Sequence, residues 1–448
     1  MVVRIPGVAG ANVSGIRPTE DTCSSERMAS RLWLHRHRDF DPSIALASNG
    51  EFTRHESPSG SYHQAEGRGL SLKITDIEAI HLRVEDPNID LFDGSYDDCI
   101  ILVHTDEGLT GIGEVESLAP AVQAIVNGPS AHTHARSLKD VLIGCDPSDP
   151  IELWQRMYEA TDYVGRRGIV MHAIGGVDLA LWDLRGKIEG KPVHALLGGA
   201  RRDRLPAYGT IYPIDRTPDG VKRQVAAGME RNLRAFKLVA DPWWMEDLSL
   251  TASLLQAARA EVGPNAKLLV DAALSYRTAD EGLRLIPLLI DAGIWFLEAP
   301  LPLDDVEGHA RMSGHGIPLG VGDLGLTNVR EFIEMMDRGG ADICQPDITQ
   351  VGGFTGILQV ARAADGRGKR VITHGYKTNI EIAANLHFLA AHKDEEILEY
   401  SLSHSPLRWG TTLEHFPVDI DGCVRVPQVP GLGVSLNPEI VANYRWPH

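Results

Sequence analysis

The sequence predicts an α/β protein, a barrel of eight parallel β/α units preceded by a smaller α+β domain. Three observations carry this. Beyond Arg204, eight short apolar runs alternate with helical patterns, as in a closed parallel sheet. Most runs end on an ionisable residue, and from Asp271 onward these recur at intervals of 27, 25, 24, 27 and 25 residues. Before the periodic region, three strand-like segments lead into helical ones, an α+β pattern.

Residues 1–70 stand apart. They hold eight Arg, no Lys and eight Asp or Glu, a net charge of zero, and show little periodicity. Their one amphipathic patch is Arg31–Arg38. This segment is expected to be a poorly ordered extension, one added by an over-long start assignment, or a docking tail. From Lys73 to Val84 apolar and polar residues alternate, as in a half-buried strand. Residues 87–97 are turn-rich. Ile100–Thr105 and Leu109–Val115 are two further strands around an Asp106-Glu-Gly108 turn. Helical stretches are expected around 120–145 and 150–160. Val170–Lys187 is a strongly apolar helix in which Asp178 and Asp183 read as packing or capping groups.

The barrel strands follow at Leu205–Ile211, Ala235–Val239, Lys267–Val270, Ile294–Leu297, Ile317–Val321, Asp342–Cys344, Lys369–Ile372 and Glu396–Leu398. Domains are therefore expected at 1–70 (extension), 71–200 (α+β), 201–410 (barrel) and 411–448 (C-terminal segment).

Composition excludes several functions. The 448 residues carry 61 acidic and 43 basic side chains, a formal charge of −18, and all of it lies beyond residue 70. That balance disfavours nucleic acid and anionic membranes as partners. No apolar run approaches the roughly 18–20 residues of a membrane span, and no secretory signal pattern is present. Cys23, Cys99, Cys145, Cys344 and Cys423 are dispersed, so neither a disulfide framework nor a cysteine zinc site is indicated. A soluble cytoplasmic protein is the expectation. Gly111-Ile-Gly113 lacks a following helix signature and reads as structural. His132-x-His134, in an expected helix, and His35-x-His37, in the extension, read as ordinary polar residues.

The chemistry is expected at the C-terminal strand ends, where barrels of this kind carry it. Lys237, Asp271, Glu298, Asp323, Asp347, His374 and Glu399 would all surround that mouth. Asp271, Glu298 and Asp323 lie on three successive strands about 4.8 Å apart. Three converging carboxylates require a cation, and hard oxygen donors select Mg²⁺, with Mn²⁺ as a substitute. Asp347 and His374 on the next two strands suit a carboxylate orienting an imidazole base. Glu399, if protonated, could donate a hydrogen bond to an enolate oxygen, and Lys237 could add positive charge there. A cation facing a His base suits removal of the proton α to a carboxylate.

These residues resemble the enolase superfamily in its mandelate-racemase-like branch, over residues 72–448. The resemblance rests on Gly176–Lys187, Pro192–Gly199, Phe236-Lys237, Leu269-Val-Asp271, Phe296-Leu-Glu298-Ala-Pro300, Gly322-Asp323, Gln345-Pro-Asp347 through Gly353, Thr373-His374-Gly375 and Leu398-Glu399-Tyr400. It implies a modified (β/α)7β TIM barrel under an N-terminal α+β capping domain. The segment from about 411 would return to the cap. Loops at about 87–98 and 115–120 would close over substrate. Asp93, Tyr96, Glu116, Tyr163, Arg166 and Arg167 are candidate substrate contacts.

Three positions depart from the family pattern. Val239 stands where a second base lysine is common, two residues after Lys237. Ala273 stands where Asn is common, two after Asp271. Asp323 takes a ligand position that is often Glu. Loss of the second base favours a reaction needing one face of the α-carbon. Dehydration of a sugar acid to a 2-keto-3-deoxy acid, with His374 as single acid/base, meets that need. Lys377 is a candidate replacement acid, a substrate-carboxylate contact or a loop cation. Cycloisomerisation or lactone chemistry on a sugar acid is the alternative enzyme reading. A catalytically inactive binding protein is the alternative of another class. The expected partners are a small-molecule sugar acid and further copies of the chain, with one Mg²⁺ per subunit.

Overall fold

The computed structural model describes residues 72–87, 93–213, 215–240, 242–393 and 396–447. The extension, with Arg31–Arg38, His35, His37 and Cys23, lies outside the described residues.

The alternation after Lys73 builds β1 (Ile74–Arg83), which buries Ile74, Ile77, Ile80 and Leu82. It pairs antiparallel with β2 (Asp97–Thr105), and β2 with β3 (Thr110–Val115). The expected helix over 120–145 is instead two, α1 (Ala119–Asn127) and α2 (Leu138–Leu142). The chain leaves α1 at Gly128, and Ser137 begins α2 by accepting from the Asp140 amide. His132 and His134 therefore lie in a loop rather than a helix. His134 bonds Asp162, and the His132 ring meets Tyr163. Next come α3 (Pro150–Thr161), α4 (Ile169–Glu189) and the short α5 (Val193–Leu196).

α4 is apolar all round because both of its faces are covered. One face lies on β3 so closely that a Cβ at Gly113 would run into the Gly176 carbonyl oxygen. On the other, a Cβ at Gly175 would stand 2.5 Å from the Thr349 carbonyl oxygen of the barrel. Asp178 accepts from the Thr355 amide and hydroxyl. Asp183 accepts from the Ile112 and Leu432 amides. Both aspartates satisfy backbone or hydroxyl donors at buried joints.

The barrel comprises β4 (Arg204–Ile211), α6 (Pro218–Glu230), β5 (Phe236–Val239), α7 (Leu248–Val262), β6 (Leu268–Asp271), α8 (Ala279–Asp291), β7 (Leu297–Glu298), α9 (Val306–Met312), β8 (Leu319–Val321), α10 (Val329–Asp337), β9 (Ile343–Cys344), α11 (Gly353–Asp365), β10 (Arg370–Val371), α12 (Asn379–His392) and β11 (Leu398–Ser401). Eight strands and seven intervening helices make a (β/α)7β barrel. The parallel ladders run unbroken from β4 to β10, and β11 returns to pair with β4. Six of the seven helices open on a Thr, Asp or Asn whose side chain accepts an amide of the first turn, which satisfies donors a helix leaves open.

Two side-chain layers explain the site. Tyr208, Ala235, Leu269, Phe296, Ile343, Ile372 and Ile397 form one apolar cluster, drawn from seven of the strands and the residues adjoining them. Side chains on a strand face the same way at i and i+2. Two residues onward stand Thr210, Lys237, Asp271, Glu298, Gln345, His374 and Glu399. The apolar cluster floors the barrel, and the polar set is the next inward layer.

The chain ends on α13 (Pro406–Gly410), β12 (Cys423–Arg425) and α14 (Pro438–Tyr444). β12 pairs antiparallel with β4, and the Trp446 amide donates to the His81 carbonyl oxygen of β1 at 2.8 Å. Among the described residues, no helix is long and apolar enough to cross a membrane.

Candidate active site

Asp271, Glu298 and Asp323 each place a carboxylate oxygen within 4.8 Å of the others, all three buried. Glu298 is held by Lys237 Nζ at 2.5 Å and by Gln345 Nε2 at 2.6 Å. Asp271 accepts from the Ala273 amide at 2.8 Å. Both oxygens of Asp323 are buried without a hydrogen-bond partner. Burial, then the charge of Asp271, pushes the Asp323 carboxyl up to about 7. Three clustered carboxylates with two orphaned oxygens are the donor set a hard divalent cation requires. The residues present therefore fit Mg²⁺ or Mn²⁺.

Backbone strain surrounds this triad. Ala273 has φ 47° and Ala299 has φ 44°, in the left-handed region that Gly and Asn adopt most readily. Ala273 therefore holds a backbone conformation that Asn or Gly adopts at lower cost.

Opposite, Asp347 Oδ2 lies 2.8 Å from His374 Nδ1. Asp347 Oδ1 accepts from the Thr349 amide and hydroxyl, each at 2.7 Å. Burial works against the Asp347 charge, but the His374 bond and Thr349 hold its carboxyl below the usual range. Burial likewise opposes charging His374, yet the Asp347 bond and the charges of Glu399 and Glu116 raise it well above an ordinary imidazole. With Nδ1 engaged, Nε2 is left for a reacting atom.

Lys237 Nζ lies 2.8 Å from Glu399 Oε1 and 3.6 Å from Asp271 Oδ2, in addition to Glu298. Burial disfavours its charge, but Glu298 and Glu399 outweigh that and keep it a cation. Glu399, expected to donate to an enolate oxygen if protonated, is surrounded by donors. It accepts from Thr210 Oγ1 at 2.5 Å, from Lys237, and from the Gly375 amide at 3.2 Å. Burial raises its pKa, but Lys237 and His374 overcome this and hold Glu399 below the usual range. Val239, on the same inner face as Lys237, is buried and carries no base.

Lys377 is buried and turned to the cap, donating through Nζ to the carbonyl oxygens of Gly94 and, at 2.7 Å, Asp97. Its ammonium also faces Glu116. Asp93 is also committed: it accepts from Ser95 and, at 2.7 Å, from the Ser403 hydroxyl. Tyr96 lines a cavity of about 210 Å³ with Asp93, Thr210, Arg231, Tyr376 and His404; Thr210 links that cavity to Glu399. Tyr163, Arg166 and Arg167 are exposed on the loop before α4. The Gly168 amide docks that loop on Thr327, beyond Asp323, and Arg167 pairs with Glu331. Among the described residues, the partner of Arg167 is Glu331 and that of the Tyr163 ring is His132, outside the triad and the dyad.

Glu116, from the end of β3, is brought to the dyad. One atom each of Glu116, Asp347 and His374 lie within 4.8 Å of one another. Glu114 reaches α12, where it accepts from the Thr378 and Glu381 amides. Sequence reasoning missed Glu114, Thr210, Gln345 and Thr349 as members of the site's surroundings. Period-2 counting from Tyr208 and Ile343 finds Thr210 and Gln345; the other two depend on how the cap docks.

A capped (β/α)7β barrel with this mouth is the architecture of an enolase-type enzyme. Residues 96–198 match the family model of the mandelate racemase / muconate lactonizing enzyme N-terminal domain, and residues 220–440 match the enolase C-terminal domain-like model. The chain is 30% identical over 361 residues to D-galactarolactone cycloisomerase of Agrobacterium fabrum, spanning 78% of this chain and 91% of that one. It is 32% identical over 354 residues to D-galactonate dehydratase of Ralstonia pickettii, spanning 76% and 88%. The mandelate racemase/muconate lactonizing protein of Paracoccus denitrificans PD1222, solved in complex with magnesium, superimposes with a TM-score of 0.73 at 26% identity, covering 84% of this chain and 97% of that chain. The chain belongs to the mandelate racemase-like branch of the enolase superfamily. Its relatives include sugar-acid dehydratases and a cycloisomerase.

Proposed function

We propose that the protein removes the proton α to the carboxylate of a sugar acid and eliminates the β-hydroxyl as water, giving a 2-keto-3-deoxy acid. The observation that carries this reading is the asymmetry of the mouth. His374, oriented by Asp347 at 2.8 Å, supplies an acid/base group on one face. Val239 leaves the position beyond Lys237 without one. Racemisation needs a base on each face, whereas elimination within one face needs only one.

Asp271, Glu298 and Asp323 would hold Mg²⁺, or Mn²⁺ in its place. When bound, the cation supplies positive charge to the substrate carboxylate and offsets the carboxylates that raise His374. Lys237 adds a second cation for the enolate oxygen. Thr210 and Glu399 hold Lys237 in place, and Glu399 also stabilises the imidazolium formed on proton transfer. Asp347 fixes the imidazole so that Nε2 faces the α-carbon. A cytoplasmic, homo-oligomeric enzyme is part of the same proposal.

The test is a panel of mono- and diacid sugars with Mg²⁺, assayed for 2-keto acid, using the wild type and His374→Asn. The wild type converts at least one member, and His374→Asn loses that turnover while still binding Mn²⁺. Turnover unchanged in His374→Asn removes the base assigned here. Similarity to D-galactarolactone cycloisomerase favours a second reading, in which a lactone is opened with no net loss of water. Sugar lactones in the same panel separate the two by product mass.

A further inference from the structure

The elimination reading places all proton transfer on one face but leaves a half-buried cap carboxyl beside the dyad without work. We propose that Glu116 of the cap is the general acid that protonates the departing β-hydroxyl, while His374 takes the α-proton. The proposal rests on the elimination reading and divides between two groups what that reading asks of His374.

Three features of the geometry carry it. Among the described residues, Glu116 is the cap side chain whose carboxyl clusters with the dyad, one atom of it lying within 4.8 Å of atoms of Asp347 and His374. Its Oε2 is buried and has no hydrogen-bond partner, so one oxygen is free to serve a group entering between cap and barrel. Its backbone is locked to the dyad's own support. The Glu116 amide donates to Thr349 Oγ1 at 2.9 Å, and that hydroxyl donates to Asp347 Oδ1 at 2.7 Å. One chain of bonds therefore registers Glu116 and His374 against each other.

The charge environment supports a proton-bearing group. Burial pushes the Glu116 carboxyl up to about 7; Lys377 pulls against this, and the Asp347 charge adds to it. A carboxyl near 7 is suited to give and regain a proton at neutral pH.

The step balances within the site. The α C–H bond breaks, and its proton goes to His374 Nε2. The electron pair left at the α-carbon forms the carbon–carbon double bond, and the β C–O bond breaks with its own pair. The Glu116 proton moves to that oxygen, and water leaves. The proton on His374 then resets Glu116, so the net change is loss of one water. The enol released becomes the 2-keto-3-deoxy acid.

The experiment uses a sugar acid that the wild-type enzyme dehydrates, in D₂O with Mg²⁺. Product formation and deuterium entry at C2 of recovered substrate are both measured. Glu116→Gln, nearly isosteric, is expected to lower the elimination kcat by 100-fold or more while C2 exchange persists. Glu116→Asp is expected to restore part of the elimination. Elimination by Glu116→Gln within threefold of wild type overturns the assignment. Equal loss of exchange and elimination in a variant of wild-type melting temperature also overturns it, because that marks a structural role. Wild-type enzyme yielding no 2-keto acid from any sugar acid overturns the elimination reading itself, and the assignment with it.

Discussion

Lys377, three residues beyond His374, donates to the Asp97 carbonyl oxygen of the cap at 2.7 Å. The chain that carries the imidazole is thereby fastened to the loop leading into β2. Asp98, Glu114 and Glu116 face the same ammonium, and their charges, set against its burial, raise its pKa.

Replacing Lys377 with Met removes both cap bonds and leaves those carboxyls without their cation. Loss of one member of a buried ionic group costs about 3 kcal/mol or more. The expected result is a lower melting temperature and faster hydrogen exchange across residues 93–105. KM is expected to rise about tenfold with a smaller change in kcat. An unchanged exchange pattern would show that the cap is held without Lys377.

The carboxylate triad predicts linkage between metal and stability. At a free Mg²⁺ concentration 100 times its Kd, unfolding free energy is expected to rise by about 2.7 kcal/mol. Asp323→Asn weakens that gain and Asp271→Ala abolishes it. Thermal melts with and without chelator measure the effect. A gain that survives Asp271→Ala places the ion elsewhere.

His387 predicts an acid limb of stability remote from the site. Its Nδ1 accepts the His194 amide at 3.2 Å and its Nε2 donates to the Leu432 carbonyl oxygen at 3.1 Å. Burial pushes its pKa down to about 3. Below about pH 6.5 the unfolded chain binds a proton that the folded protein refuses. The contribution is therefore complete above that pH and is lost as pH falls towards 3, by about 1.4 kcal/mol per unit. Denaturant titrations from pH 4 to 6 should show a shallower slope in His387→Gln, by that amount. An identical slope in wild type and variant would contradict the assignment.

Ala273 predicts a stabilising substitution. Its φ of 47° costs an alanine about 1 kcal/mol relative to glycine. Ala273→Gly is expected to raise the melting temperature while the Asp271 carboxylate keeps its bond to the residue 273 amide. A fall in melting temperature would show that the turn is unstrained.

Much of this site was legible because strand chemistry is local. The regular spacing from Asp271 to Glu399 marks one residue per β/α unit; alternation sends Asp271, Glu298, His374 and Glu399 inward above the apolar floor, whereas Asp323 follows Gly322, whose φ of 125° breaks the alternation. Strand lengths were overestimated at β7, β9 and β10, each two residues long; just past β7 the chain turns to positive φ at Ala299. Three facts lay beyond the sequence because they depend on neighbours distant in the chain. Glu399 is held below the usual carboxylate range because Lys237 and His374 face it, and Thr210 and the Gly375 amide donate to it. Lys377 turns to the cap because Gly94 and Asp97 offer carbonyl oxygens there. Glu116 meets His374 because β3 ends where α4 lays the cap on the barrel.

That last joint has a consequence for how the molecule unfolds and how it can be altered. With glycine at 175 because the Thr349 carbonyl leaves no space for a Cβ, α4 has no slack in which to slide or lift. Cap and barrel, separable on paper, then melt in one calorimetric transition. Freedom to vary falls to the exposed residues of the turn at 162–167, while the acid–base groups keep their register.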